Sequence, residues 1–205
     1  MTSAIAIILS YLIGAISFSY VIGKKFKQLD IRDHGSGNAG ATNTLRVMGL
    51  APAIAVLLLD CAKGIVAVWI GFWLSGGDPM IAAASGFASI IGHNWPIYYG
   101  FRGGKGVATT IGVLAALVFF PALIAGVIAI LSIVITRFVS LGSLLFMLGT
   151  TIIAALSFDY FDYPFYFVYF LVGITGLSFW RHRSNIERLL KGEESKLGQK
   201  ASVKQ

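Results

Sequence analysis

The first part of the chain suited to chemistry is a glycine-rich stretch, Asp33-His34-Gly35-Ser36-Gly37-Asn38-Ala39-Gly40-Ala41-Thr42-Asn43-Thr44-Leu45-Arg46. Gly35, Gly37 and Gly40 free the backbone for positive φ, so successive N–H groups can curl round an anion. Ser36, Asn38, Thr42 and Asn43 add short donors, and Arg46 can clasp a phosphate with two prongs. A plain flexible loop has a similar composition, so this stretch alone leaves both readings open. A second stretch runs from Gly92-His93-Asn94-Trp95-Pro96 to Phe101-Arg102-Gly103-Gly104-Lys105-Gly106. It delivers Lys105 to the start of a predicted helix, where exposed N–H groups and the positive dipole end favour a phosphate. It is not a nucleotide P-loop, because the GxxxxGK[ST] spacing and a preceding strand are both missing.

Three further groups stand out. Asp60 and Lys63 are three apart on one helical face inside an apolar run, where ionisable groups are costly and tend to be paired and functional. A pair that only locks two helices together would look the same; our expectation is that Asp60 also orients a basic group toward the site. His182 and Asn185, in Arg181-His182-Arg183-Ser184-Asn185, are helical neighbours flanked by arginines, and a histidine near neutral pKa suits work on a hydroxyl. Arg137 with Ser140 and Ser143 forms another set of donors.

These groups need a scaffold, and composition says which kind. Hydrophobic residues make up 57% of the 205, charged ones 12%, against about 45–50% and about 25% in soluble domains. That leaves too little polar surface to coat a globule, so the chain is expected to sit in a membrane. Disorder and a disulfide-stapled module are excluded by the hydrophobicity and by the single cysteine, Cys61, which reads as a small core residue. The N-terminus lacks a basic n-region, so the first apolar run is expected to be a retained span.

Spans are expected over Ala4–Ile22, Pro52–Leu74, Pro79–Gly92, Phe138–Ser157 and Phe165–Trp180. The uncharged stretch Val107–Thr136 fits one kinked helix or two helices turning near Phe119-Phe120-Pro121. Charge decides for two. With seven spans, every Lys and Arg except Lys63 falls on one side, while Asp78, Asp159 and Asp162 fall on the other. Positive loops stay in the cytoplasm. The expected fold class is therefore all-α, a polytopic membrane protein of seven transmembrane helices. Its N-terminus is outside and its C-terminus cytoplasmic. One domain, 1–205, carries cytoplasmic loops at about 23–51, 93–106 and 137–140 and a tail at 181–205.

All the polar clusters then share the cytoplasmic face. A transporter would need polar groups across the bilayer depth, and a scaffold would not need four such loops. The net charge of +7 is absorbed by membrane anchoring, so no nucleic-acid partner is expected. His34, His93 and His182 fall in separate loops without HExxH, and no GxSxG elbow or dinucleotide motif is present. No metal and no cofactor are expected.

Together these motifs resemble the bacterial membrane acyl-phosphate:glycerol-3-phosphate acyltransferases. The resemblance rests on Gly35-Ser36-Gly37-Asn38 with Thr42-Asn43 and Arg46, Asp60-x-x-Lys63-Gly64, Gly92-His93 through Gly103-Gly104-Lys105-Gly106, and His182-x-x-Asn185-Ile186-x-Arg188. It covers nearly the whole chain in order. It implies acyl transfer from acyl phosphate to the 1-hydroxyl of glycerol 3-phosphate, giving lysophosphatidic acid and phosphate, the first acylation of bacterial phospholipid synthesis. The other glycerol phosphate acyltransferases carry a histidine–four residues–aspartate motif. Here Glu187 follows His182 at that spacing, but i and i+5 diverge on a helix.

The expected catalytic residues are Ser36, Arg46, Lys105, His182 and Asn185. Gly37, Asn38, Thr42, Asn43, Lys63, Gly103, Gly104, Arg137 and Ser143 are expected to meet substrate phosphate, with Asp60 and His93 orienting them. His182 and a substrate phosphate both stand as candidates for the base. The expected partners are the two substrates and membrane lipid. The expected state is a monomer, multi-pass in the bacterial cytoplasmic (inner) membrane.

Overall fold

Backbone groups facing lipid have no water to bond, so a spanning chain satisfies them within helices. The protein is represented by a computed structural model that describes residues 1–199, and among these every regular element is helical. The α-helices are α1 (Thr2–Gly14), α2 (Phe18–Lys27), α3 (Ala41–Met48), α4 (Leu50–Leu74), α5 (Pro79–Asn94), α6 (Val107–Leu117), α7 (Phe119–Thr136), α8 (Val139–Ser157), α9 (Phe167–Arg181) and α10 (Arg183–Leu190). Short 3₁₀ turns, Ile31–Asp33 and Ile97–Tyr99, punctuate the polar loops. The helices gather into two compact units, one built on Met1–Val113 and one on Leu114–Leu197.

In the first unit α1 packs on α4 and α5, and α4 packs on α5 and α3. Lipid tails are as apolar as leucine, so helices in a membrane associate by close packing at small residues. Gly14 lies against the Ser89 backbone, Gly92 against Tyr11 and Ala15, and Gly112 against Cys61. Hydrogen bonds from Ser10 Oγ to the Ala67 carbonyl (3.2 Å) and from Tyr11 Oη to the Trp95 carbonyl (2.8 Å) tie the same helices together. α5 starts sharply because Asp78 accepts from Met80 N (2.8 Å) and Pro79 occupies the first helical turn.

In the second unit α7 packs on α8, and α8 on α9. Thr151 and Thr175 bond each other at 2.8 Å. The Leu171 carbonyl lies 3.2 Å from Thr151 Oγ1 and the Met147 carbonyl 3.1 Å from Thr175 Oγ1, so the two hydroxyl protons are shared among these acceptors. Ile130, Leu131, Val134 and Ile135 of α7 are exposed, as expected of side chains against acyl tails. Aromatic rings crowd the stretch 158–169, with Phe120 stacked on Phe161 at 5.1 Å.

The packing gives an ordered prediction. A Cβ at Gly112 would fall on the Cys61 carbonyl, which cannot move without shifting α4. At Gly86 it would meet Val113 and Val68 methyls at 2.7 and 2.9 Å, and at Gly176 nothing within 4 Å. Gly112→Ala is expected to cost about 1–3 kcal/mol, Gly86→Ala less, and Gly176→Ala nothing, read as Tm in detergent.

Several sequence expectations meet this structure directly. The stretch Val107–Thr136 is two helices, interrupted at Val118 (φ −142°), one residue before the expected turn. The first apolar run is not one helix: α1 ends at Gly14 and α2 begins at Phe18, with Ser17 extended. α2 carries Lys24, Lys25 and Lys27 into what was expected to be loop, and α3 is a helix inside that loop. Among the described residues, four apolar segments are long enough to cross a bilayer, namely Thr2–Lys27, Leu50–Leu74, Phe119–Thr136 and Val139–Ser157; α6 and α9 are shorter. Lys200 and Lys204 of the tail lie outside the described residues.

Candidate active site

In the first unit the glycine-rich stretch forms a closed turn. Gly35 and Gly37 take φ of 61° and 71°, the left-handed backbone anticipated for a nest. Ser36 and Gly37 are exposed, while Asn38, Thr42 and Arg46 are partly buried. No ion pair involves Arg46 among the described residues. Asn43, expected to meet a phosphate, turns inward. Its Nδ2 donates to the Ile31 and His34 carbonyls, both at 3.0 Å, and its Oδ1 accepts from Ser36 N at 2.8 Å. Both amide N–H donors are spent on holding the turn, so Asn43 shapes the loop around any anion.

Arg32, which sequence reasoning passed over, joins this loop to the next. It is paired with Asp30 at 2.7 Å, donates to the Tyr99 carbonyl at 2.7 Å and lies 4.9 Å over the Tyr20 ring. Its hydrogen bonds to Asp30 bring that carboxyl down to about 2. The only signal in the sequence was a carboxylate two residues before an arginine, which is common on surfaces.

The second loop is seated on the end of α5. Gly104 N donates to the His93 carbonyl at 3.2 Å. A Cβ on Gly104 would strike His93 Nε2 and the Ala39 carbonyl, so this glycine is where both glycine-rich loops and the His93 ring meet. Gly103 is equally confined, by the His93 carbonyl, Pro96 and the Asn94 carbonyl. Gly106 has φ 80° and faces Asn94 Oδ1. Lys105, partly buried, thus sits between two pinned glycines and leads directly into α6.

Beneath them lies the Asp60–Lys63 pair, with side chains 1% and 3% exposed and Nζ 2.7 Å from Oδ1. Lys63, expected on a phosphate, also donates to the Ile16 carbonyl at 2.6 Å, in the break between α1 and α2. Two of the three ammonium N–H donors are thus committed inside the protein. His93 Nδ1 is 3.6 Å from the same Asp60 oxygen, within reach of an ion pair.

In the second unit His182 links α9 to α10. Its Nδ1 lies 2.8 Å from the Ser178 carbonyl. A carbonyl only accepts, so Nδ1 carries the proton in that bond and, in the neutral ring, Nε2 carries the lone pair. Asn185, in the first turn of α10, donates to Glu194 Oε1 at 2.6 Å; Ser140 donates to the same oxygen at 2.7 Å, and Arg188 Nε to Oε2 at 2.7 Å. Glu194 is a second residue that sequence reasoning missed, since it lies in a polar tail with no flanking motif.

Arg137 closes the tail onto the α7–α8 junction. Its backbone carbonyl accepts from Leu197 N and its guanidinium donates to the Leu197 carbonyl, both at 2.7 Å. Ser143, the other donor expected there, gives its hydroxyl proton to Val139 of its own helix at 2.8 Å. Both residues are engaged within the protein.

Burial pushes the Glu194 carboxyl up, but the bonds from Asn185, Ser140 and Arg188 outweigh it and hold it below the ordinary range. A folded pKa below the unfolded one adds stability that is complete above the unfolded value and lost as pH falls through the folded one. The Tm difference between wild type and Glu194→Gln is therefore expected to stay constant from pH 8 to about 5 and to shrink below about 4. A difference that already shrinks near pH 6 would contradict this assignment.

The chain matches the family model described as glycerol-3-phosphate acyltransferase over residues 4–192. The chain belongs to the glycerol-3-phosphate acyltransferase family. A glycerol-3-phosphate acyltransferase of Halalkalibacterium halodurans is 63% identical over 192 residues, 93% of each chain. One of Thermoanaerobacter pseudethanolicus is 44% identical and covers 100% of both. The fold is similar to crystal structures of PlsY (YgiH), an integral membrane glycerol 3-phosphate acyltransferase. The glycerol 3-phosphate form gives a TM-score of 0.89 at 35% identity, covering 97% of this chain and 96% of that one, and the lysophosphatidic acid form gives 0.87. The protein is thus an integral membrane acyltransferase of the PlsY family, and family membership carries a place in phospholipid synthesis.

Proposed function

We propose that this family member moves an acyl group from an acyl phosphate to the 1-hydroxyl of sn-glycerol 3-phosphate. The hydroxyl oxygen attacks the acyl carbonyl carbon, the bond from that carbon to the phosphate oxygen breaks, and phosphate leaves with the electron pair. The products are lysophosphatidic acid and phosphate. The observation that carries this reading is the seat of Lys105: a lysine between two glycines pinned by His93 and Asn94, at the N-terminal end of α6. Such a placement suits a phosphate, and glycerol 3-phosphate occupies a member of the same fold at 35% identity.

In this reading Ser36, Arg46 and Lys105 bind substrate phosphates, with Gly37, Asn38, Thr42, Gly103 and Gly104 shaping and lining the anion sites. Arg137 and Ser143 stay in the phosphate-binding set, since the Arg137 guanidinium spends one of its N–H groups on the Leu197 carbonyl and the Ser143 hydroxyl rotates about its own bond, while Asn43 and Lys63 serve the site by holding the backbone around it. His182 takes the hydroxyl proton on Nε2, and Asn185, steadied by Glu194, orients that hydroxyl. Acyl phosphate is already activated, so catalysis consists of positioning two anions and screening their repulsion. An acyl-phosphate donor is supported by the cationic side chains and by the lack of a histidine–four residues–aspartate motif. We place the protein in the bacterial cytoplasmic membrane as a monomer with seven spans, N-terminus outside and polar loops inside; the one-sided distribution of Lys and Arg supports that orientation.

The test is turnover in micelles with labelled glycerol 3-phosphate and either palmitoyl phosphate or palmitoyl-CoA. Lysophosphatidic acid from palmitoyl phosphate alone is expected. Product from palmitoyl-CoA alone would overturn the donor. No product from either, in folded protein, would overturn the reaction.

A further inference from the structure

We propose that Asp60 is a positioning residue for the Lys105 loop and acts through His93. Asp60 sits in α4, deep among apolar side chains, and the loop that would meet substrate is formed by residues 103–106. One carboxylate oxygen faces two nitrogens, Lys63 Nζ at 2.7 Å and His93 Nδ1 at 3.6 Å. A carboxylate 3.6 Å away is beyond hydrogen-bond length but attracts that edge of the ring electrostatically and favours a proton on Nδ1. The opposite edge of the same ring, at Nε2, bears on Gly104, and the His93 carbonyl holds the Gly104 N–H. Gly104 in turn bears on the Ala39 carbonyl of the first glycine-rich loop. The contacts run without a gap from the Ile16 carbonyl through Lys63, Asp60 and His93 to Gly104 and Ala39. All of these residues belong to the first unit.

A pair needed only to neutralise itself inside α4 would not require a histidine on the same oxygen. A histidine needed only to fill space would not require a carboxylate behind it. The two together make a rigid prop under the backbone that carries Lys105. The prop rests on α4, a long helix packed on α3 and α5, so the loop inherits the rigidity of the membrane scaffold. This inference rests on the proposed role of Lys105 on a substrate phosphate and assigns it to the phosphate of glycerol 3-phosphate. A displaced loop should then weaken ground-state binding of that substrate more than it slows the chemical step.

The decisive variant removes both charges at once. Asp60→Leu with Lys63→Met replaces a buried ion pair by apolar groups of similar volume, an exchange that often leaves stability intact. It takes away the acceptor behind His93 and also the donor to the Ile16 carbonyl, so Asp60→Leu with Lys63→Gln is run beside it to remove the acceptor alone, with the same rise in KM expected. Its KM for glycerol 3-phosphate is expected to rise about tenfold with kcat within about threefold. Asp60→Asn with Lys63→Gln also removes both charges but keeps an acceptor facing His93, and its KM is expected within about threefold of wild type. His93→Asn leaves the Asp60–Lys63 pair in place while withdrawing the ring from Gly104; a rise in KM of about tenfold is expected there too.

Unchanged KM in folded Asp60→Leu/Lys63→Met or Asp60→Leu/Lys63→Gln, or an equal rise in Asp60→Asn/Lys63→Gln, would overturn the proposal. If the Leu/Met variant does not fold, His93→Asn decides alone, and unchanged KM there has the same consequence. Lys105→Met run alongside separates the two levels. If it raises KM while the Asp60 and His93 variants do not, only the prop is wrong. If it changes neither KM nor kcat, the assignment of the loop itself falls, and the prop with it.

Discussion

Lys105→Met is expected to lower kcat/KM for glycerol 3-phosphate by about 100-fold or more, with the protein still folded. A hydrogen bond to a charged group contributes about 1.5–3 kcal/mol, and each 1.36 kcal/mol is tenfold in rate, so one lost ammonium–phosphate contact gives a factor of about 10 to 150. The upper end applies here because the loop is confined. Gly103 is pressed against the His93 and Asn94 backbones and Gly104 against the His93 ring and the Ala39 carbonyl, Gly106 sits at φ 80°, and the next residue opens α6. On so constrained a backbone the loop itself has little left to order when Lys105 meets its anion. Its charge also adds to the positive end of α6. Methionine has a similar length and leaves the glycines free to keep their geometry. Lys105→Arg should recover part of the loss, because it restores the charge with a bulkier head. Steady-state kinetics on both variants check this, and wild-type kcat/KM in Lys105→Met would remove the residue from the site.

His182→Ala is the second large effect, expected mainly in kcat. General-base work contributes about 10²–10⁴-fold, and the loss should persist at saturating concentrations of both substrates. The basis is the geometry at the α9–α10 junction. The Ser178 carbonyl holds Nδ1–H at 2.8 Å, which in the neutral ring fixes Nε2 as the nitrogen with a lone pair. The ring is 2% exposed, so bulk water hardly competes for that nitrogen. His182→Gln, which restores a polar atom but no base, should remain slow. A turnover number unchanged in His182→Ala would end the base role and leave the departing phosphate as the proton acceptor.

Much of this arrangement is legible in the chain before any coordinates. The helical class, the interruption between α6 and α7 and the left-handed glycines at 35 and 37 follow from apolar runs, charge-free spans and glycine spacing. What escaped the sequence has a common physical cause. Hydropathy averages over a window, so the non-helical link at 15–17 disappears inside an apolar run; a buried ammonium some fifty residues on makes the exposed Ile16 carbonyl tolerable. Asn43 looks like a ligand donor because composition reports what an amide can do, not which way it turns. Glu194 and Arg32 were missed for the opposite reason. Each is an ordinary charged residue whose importance comes from partners far apart in the chain, as Ser140 is to Glu194 and Tyr99 to Arg32.

The ion pair in α4 is directional. Asp60→Lys combined with Lys63→Asp would preserve net charge and spacing, and on most helix surfaces such an exchange is nearly neutral. Here it would turn a carboxylate toward the Ile16 carbonyl, where two acceptors repel, and an ammonium toward His93, which would lose its acceptor. The two positions are therefore locked in one order. A lineage could pass from one order to the other only by rebuilding the link between α1 and α2 at the same time, so an apparently interchangeable pair of charges behaves over evolutionary time as a ratchet.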